Sequence, residues 1–302
     1  MAGKVCLVTG GTAGIGAVAA RQLAARSAKV VIVGRDRIRG AACAAAIQTE
    51  TGNAEVEFLS ADLSSQADVR RLTMQFVGRH SRLDVLINNA GAIFELRRES
   101  VDGIEMTLAL NHLAPFLLTS GLVDLLKASA PSRIITVSSA AHKDVPAFDF
   151  ADPQARAAAS WRGKYPESGR ESLFYSLIKP WAHPAFLQYA HTKLANLLFT
   201  YKLARRLAGT GVTANALHPG LVATNFASGP GVYGWFMRRQ ARLFGIKAEE
   251  GARTLTYLAS SKEVEGVTGK YFVKEKAMES SAASRDWEAS GRLWELSEKM
   301  TR

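Results

Sequence analysis

Short apolar runs alternate with amphipathic stretches from the first residues onward. The runs read as buried strands at Lys4–Val8, Lys29–Val33, Glu55–Leu59, Asp84–Ile87, Arg133–Val137 and Thr213–Leu217, with a seventh at Lys270–Val273. Helical spacing fills the gaps, first in AVAARQLAARSA, then over Arg37–Thr49, Ala67–His80, Ile104–Ala128, Leu187–Ala208 and Ala248–Ser260. Such alternation predicts a mainly parallel, seven-stranded sheet with helices on both faces: one doubly wound α/β domain over residues 1–302. One stretch breaks the rhythm. Residues 143–186 are rich in Pro, Ser, Trp, Phe and Tyr and are long for a connection in a compact domain. The tail from about 280 to 302 contains DWEASGRLWELSEKM, whose Trp287, Leu293, Trp294 and Leu296 suit a terminal helix packed on the core.

Composition narrows the classes. The chain has 302 residues, 47% of them hydrophobic, enough for one large filled core. Cys6 and Cys43 are the two cysteines and read as buried reduced thiols, so no disulfide framework or metal cluster is expected. The net charge of +11 is scattered, which argues for solvated faces and against a nucleic-acid partner. No leader and no membrane span are expected, and the cytoplasm is the expected location.

The first strand runs into TGGTAGIG, Thr9 to Gly16. Gly10, Gly14 and Gly16 permit a tight turn and let a pyrophosphate approach the N-terminus of the next helix, where free amides and the helix dipole meet negative charge. Strand, glycine loop and helix in this order favour phosphate binding over a structural turn. The second strand ends in VVIVGRD. A carboxylate there binds ribose hydroxyls and repels a 2′-phosphate. Here Gly34 takes the position and Arg35 follows, which favours NADP(H) over NAD(H). A plain surface arginine is the alternative, and Asp36, one position late, is a competitor. Asp62 and Leu63 follow the third strand, where Asp62 suits either an adenine amino group or an N-cap. Asn88 to Gly91, NNAG, close the fourth strand with residues small enough for a ligand to pass, or with turn formers.

Tyr189 and Lys193 sit four apart at the head of YAHTKLANLLFTYKLARRL, on one helix face. The ammonium is expected to favour the phenolate and pull the phenol down from its ordinary value near 10, giving a proton donor and acceptor. Tyr175 and Lys179 repeat the spacing, but Pro180 follows the lysine and disfavours a helix there. Asn111 lies inside a helical pattern, where asparagine competes for backbone bonds, and Pro115 just after it suggests a kink. Ser138 and Ser139 end the fifth strand, where a hydroxyl can donate to a carbonyl oxygen or simply form a turn.

TGGTAGIG, NNAG, VSS, YAHTK and HPG occur in this order from Lys4 to about Val273. Together they resemble the short-chain dehydrogenase/reductase family, with NHLAPFLLT, ALHPGLVAT and GKYF similar to its retinol dehydrogenase-like branch. The resemblance implies a Rossmann-like fold and an NADP(H)-dependent oxidoreductase acting on an alcohol/carbonyl pair, with carbonyl reduction favoured. It makes Tyr189 the general acid/base, with Lys193 lowering its pKa and holding the nicotinamide ribose. Ser139 would polarise the carbonyl, and Asn111 would anchor a water that relays protons. Gly10, Thr12, Gly14, Ile15 and Gly16 would line the cofactor loop, with Arg35, Asp62 and Leu63 on the adenosine side and Asn88, Ala90 and Gly91 along the crevice. Pro219, Gly220 and Val222 would flank the nicotinamide, and Thr224 would bond its amide or the phosphates. A dimer or tetramer through the long fourth and fifth helices is implied, unless the tail or the insertion blocks it. Reduction of a C=C or C=N bond, and a non-catalytic NADP(H) sensor, are the alternatives.

Two segments depart from the family pattern. About 157–184 is an insertion, read as a lip over the substrate mouth or a loop packed on a neighbouring subunit. About 225–247 corresponds to a substrate lid, and its apolar Trp235, Phe236, Met237, Leu243 and Phe244 suggest a small apolar substrate or peripheral membrane contact.

Overall fold

The structure, a computed structural model, describes residues 1–156, 183–222, 227–228, 239 and 245–302. The insertion at 157–182 with Tyr175 and Lys179, residue Thr224 and most of the lid lie outside the described residues.

The strands are β1 Val5–Thr9, β2 Lys29–Gly34, β3 Val56–Ser60, β4 Val85–Asn88, β5 Ile93–Phe94, β6 Ser132–Val137, β7 Val212–His218, β8 Ala227–Ser228, β9 Tyr271–Val273 and β10 Lys276–Met278. Eight of them form one sheet in the order β3-β2-β1-β4-β6-β7-β9-β10, parallel except for the β9–β10 hairpin. The expected seven strands are present, and β10 is an addition: it is exposed along its length, so no apolar run announced it. A separate parallel pair joins β5 to β8.

The helices are α1 Gly14–Ala24, α2 Arg37–Thr51 and α3 Gln66–Arg79, then α4, α5 Pro184–Arg206, α6 Ala248–Ser260 and α7 Trp287–Met300. α4 runs over Met106–Ala128 with a π-helical turn at Ala109–Leu113. Strand side chains alternate between two cores. Leu7 and Leu86 face one core with Leu72 and Phe76 of α3, Phe116 of α4 and Phe199 of α5. Cys6, Val8 and Ile87 face the other with Leu23 of α1, Ile47 of α2 and Leu255 of α6.

α4 is long and apolar enough to cross a bilayer, with a mean hydropathy of 1.4, contrary to the expectation of no such run. Within this fold 72% of that stretch is buried, as suits a core helix. The tail helix α7 lies on α4 and α5. Trp294 stacks on Phe199 at 5.9 Å between ring centroids and meets Phe116 edge-on at 5.0 Å. The two long helices expected to pair subunits thus carry α7 of the same chain on part of their surface. The chain leaves β3 and returns beside β1 as β4, so the order reverses between β1 and β4. A crevice at the carboxyl ends of strands around such a reversal is where open α/β sheets bind ligands.

Candidate active site

The glycine loop is built from both sides of that reversal. Gly10 and Gly14 have φ of +64° and +54°, a region that L side chains rarely adopt. A Cβ on Gly16 would overlap Gly10 O and Asn89 Nδ2, so the helix can approach the strand only with glycine there. Thr9 Oγ1 donates to Ile87 O and accepts from the amides of Asn89 and Ala90. Asn89 Nδ2 donates to Thr9 O at 2.8 Å. Asn89, not Asn88, therefore ties NNAG to the loop. Asn88 is buried and its Nδ2 donates to Thr119 Oγ1, so its side chain is turned to α4, and any contact it makes with a ligand in the crevice is left to its backbone.

α1 begins with no side-chain cap on its first amides and no acidic residue in its first turn. Thr12 sits against Gly34, where a Cβ would come within 2.8 Å of Thr12 Cγ2, so a carboxylate-bearing side chain at that strand end would have to displace Thr12. Arg35 beside it is exposed. Asp36 caps α2 by accepting from Arg39 N at 3.0 Å, which occupies the expected competitor. Asp62 accepts from Ser64 N and Ser64 Oγ while Ser65 caps α3, so the cap reading of Asp62 gives way to a turn. Leu63 is buried in the core beside Val69. An uncapped helix N-terminus, an open strand end and an exposed arginine fit a dinucleotide with a phosphorylated adenosine.

The chemistry-bearing groups meet at the ends of β4, β6 and α5. Ser138 is buried with Oγ donating to Lys193 O at 2.8 Å. Ser139, half-buried, shares a hydrogen bond with the Tyr189 side chain. Lys193 Nζ donates to Val137 O at 3.0 Å and lies 5.4 Å from the Tyr189 ring centroid. Asn111 donates to Ala92 O and Thr192 Oγ1 and accepts from Ala92 N. A Cβ on Gly91 would sit 3.1 Å from Asn111 Oδ1 and 3.5 Å from Lys193 Nζ, so the end of NNAG lies close against both side chains. Asn111 is in the middle of the π turn. Pro115, four residues on, has no N–H to give its carbonyl, so the expected distortion is present and has a cause.

Burial pushes the Tyr189 phenol above its ordinary value, with the Ser139 hydrogen bond pulling the other way. Burial also lowers Lys193 to about 7. The expected depression of Tyr189 by Lys193 is therefore not what the protein groups produce: desolvation of the phenol dominates, and Lys193 Nζ lies over the ring. Gly220 has φ of +93° and packs on Ile246. Val222 and Ile15 both abut Gly251 of α6, which joins the β7 turn with Pro219 to the glycine loop. Among the described residues no group of three or more potential metal ligands occurs. His142, Asn196 and Thr192 are buried supports that sequence reading missed, because each acts on partners distant in the chain.

The short chain dehydrogenase family pattern matches residues 4–150. Retinol dehydrogenase 12 of Homo sapiens is 36% identical over 295 residues, 98% of this chain and 85% of that protein. Dehydrogenase/reductase SDR family member 13 of Bos taurus is 39% identical over 301 residues, 99% of this chain and 73% of that protein. A short chain dehydrogenase from Burkholderia cenocepacia, solved in complex with NADP, superposes with a TM-score of 0.64 at 25% identity, covering 90% of this chain and 96% of that one. With this fold and these relatives, the chain belongs to the short-chain dehydrogenase/reductase family of oxidoreductases, in its retinol dehydrogenase-like branch.

Proposed function

We propose that the protein is an NADP(H)-dependent oxidoreductase that interconverts an alcohol and a carbonyl on a small, fairly apolar molecule, working mainly as a carbonyl reductase. The observation that carries this reading is the buried Tyr189, bonded to Ser139 and backed by Lys193, in a chain whose glycine-loop helix begins uncapped. The retinol dehydrogenase relatives and the NADP-bound relative support it. The apolar lid sequence at 225–247 supports the substrate class.

A bound nicotinamide dinucleotide supplies the hydride. The glycine loop and the first amides of α1 would hold its pyrophosphate, and Arg35 would supply the cation for a 2′-phosphate. Gly91, Pro219, Gly220 and Val222 leave room along its path. Ser139 Oγ donates to the substrate oxygen, and Tyr189 Oη delivers a proton to it as negative charge develops. Burial keeps Tyr189 protonated, which suits a proton donor. Lys193, held by Val137 O, stabilises the phenolate left behind, and Asn111 keeps the neighbouring Ala92 backbone in place.

The test is a panel of apolar aldehydes, ketones and enones with NADPH and NADH, followed by absorbance of the reduced cofactor and product analysis. Alcohol products are expected, with Tyr189→Phe lowering kcat by about 10²- to 10⁴-fold, as loss of a general acid does. Saturated carbonyls from enones would move the assignment to C=C reduction. Intact cellular function in Tyr189→Phe, with NADPH still bound, would make the protein a sensor.

A further inference from the structure

Ser139 is the first residue of a short turn, and its own backbone carbonyl is held unusually firmly. Ser139 caps the 3-10 helix Ala140–Lys143, its Oγ accepting from Ala141 N at 3.2 Å. Its carbonyl accepts from His142 N at 3.2 Å and from His142 Nδ1 at 2.6 Å. The other ring nitrogen of His142, Nε2, accepts from the backbone amide of Ser281 at 3.1 Å. A backbone N–H can only donate, so Nε2 carries no proton and the proton lies on Nδ1, where it reaches Ser139 O. The imidazole is fully buried, meets the Tyr271 ring edge-on at 5.2 Å, and has Lys143, Asp144 and His218 as its charged or titratable neighbours.

We infer that His142 is the positioning residue for Ser139, and that the amide of Ser281 in the C-terminal segment fixes the tautomer through which it acts. The inference rests on reading Ser139 as the group that polarises the substrate oxygen. Its physical content is rotational. The Ser139 hydroxyl must serve Tyr189 and the substrate at once, and the turn that aims it is closed by the ring of His142. The segment that begins at Ser280 is thereby part of the active-site scaffold: Ser281 reaches His142, and Ser297 of α7 lies 2.8 Å from Nε2 of His112, the neighbour of Asn111 in the π turn.

Three substitutions separate this from simple structural loss. His142→Phe fills the space and removes both ring bonds. His142→Asn keeps an N–H donor near the position of Nδ1. Ser281→Pro deletes the amide proton at a φ of −59°, which proline adopts. His142→Phe is expected to lower kcat about 10- to 30-fold with the KM for NADPH within about twofold, the size expected for one misaligned hydrogen bond. His142→Asn should recover kcat to within about threefold of the parent, as the surviving donor predicts. Ser281→Pro should lower kcat several-fold in the parent and have no further effect on His142→Asn, a coupling that a double-mutant cycle reads directly. Equal loss in His142→Phe and His142→Asn at unchanged melting temperature, or additive behaviour of Ser281→Pro, overturns the inference. Amide hydrogen exchange over residues 140–144 gives a second readout that needs no turnover. Faster exchange in His142→Phe than in His142→Asn supports it, and identical exchange overturns it. Should the parent turn over no carbonyl at all, the proposed function fails while the exchange comparison still judges His142.

Discussion

Under the proposed function, the choice of nicotinamide form is assigned to Arg35. It stands exposed at the end of β2, next to a glycine where a ribose-binding carboxylate would clash with Thr12. Arg35→Ala should raise the KM for NADPH about 10- to 100-fold, the worth of a charge-assisted bond, and leave the KM for NADH within about twofold. Steady-state kinetics with both cofactors checks this. Residues of this kind were legible in the sequence because their meaning is local: a glycine loop after a strand, or two side chains four apart. The division of labour between Asn88 and Asn89 was not legible, for the opposite reason. NNAG offers two adjacent asparagines, and only the parity of β4 decides that Asn88 turns to Thr119 while Asn89 turns to the loop. His142 and His112 could not be found at all, since their partners Ser281 and Ser297 lie 139 and 185 residues away.

At the scale of elements, the helix and strand pattern was readable to within a few residues. α6 coincides with the expected Ala248–Ser260, and α5 begins three residues earlier than expected because His183 caps it and Pro184 opens it. What escaped was short and without periodicity: the two-residue strands β5 and β8, and the exposed β10. The π turn in α4 was foreshadowed by Asn111 and Pro115, and it is the device that brings Asn111 to Ala92. The tail helix α7 was legible from its tryptophans. Trp294 is wedged against Phe116 and Phe199, with the Arg206 guanidinium 4.4 Å over its ring. Trp294→Ala should destabilise the fold by about 3 kcal/mol, by analogy with large-to-small changes at partly buried aromatic clusters. Urea unfolding with an unchanged slope would check it, and a loss below about 1 kcal/mol would mean that α7 is only loosely docked.

The whole molecule holds several ionisable groups in the neutral state. Burial lowers His112 to about 4, and His183 and His218 likewise to about 4. Their folded values lie below the ordinary 6.5, so the unfolded chain takes up protons that the folded one refuses as pH falls from 6.5 towards 4. The histidines' contribution to stability is full above 6.5 and lost in that window, with about 3 kcal/mol from His112 alone. Lys193 acts in the same sense at higher pH: between about 7 and its ordinary 10.5 the unfolded chain again binds the extra proton, so stability rises with pH there. Thermal melting at pH 5, 7 and 9 is expected to give an ascending series, and a flat series would show that the histidines are hydrated in solution. The C-terminal segment meets three distant parts of this fold: Ser281 meets His142, Ser297 meets His112, and the carbonyls of Met300 and Thr301 accept from Gln66 and Arg70 of α3. In a polypeptide made from its N-terminus, the glycine loop and the tyrosine helix therefore precede the stretch whose bonds reach His142, His112 and α3.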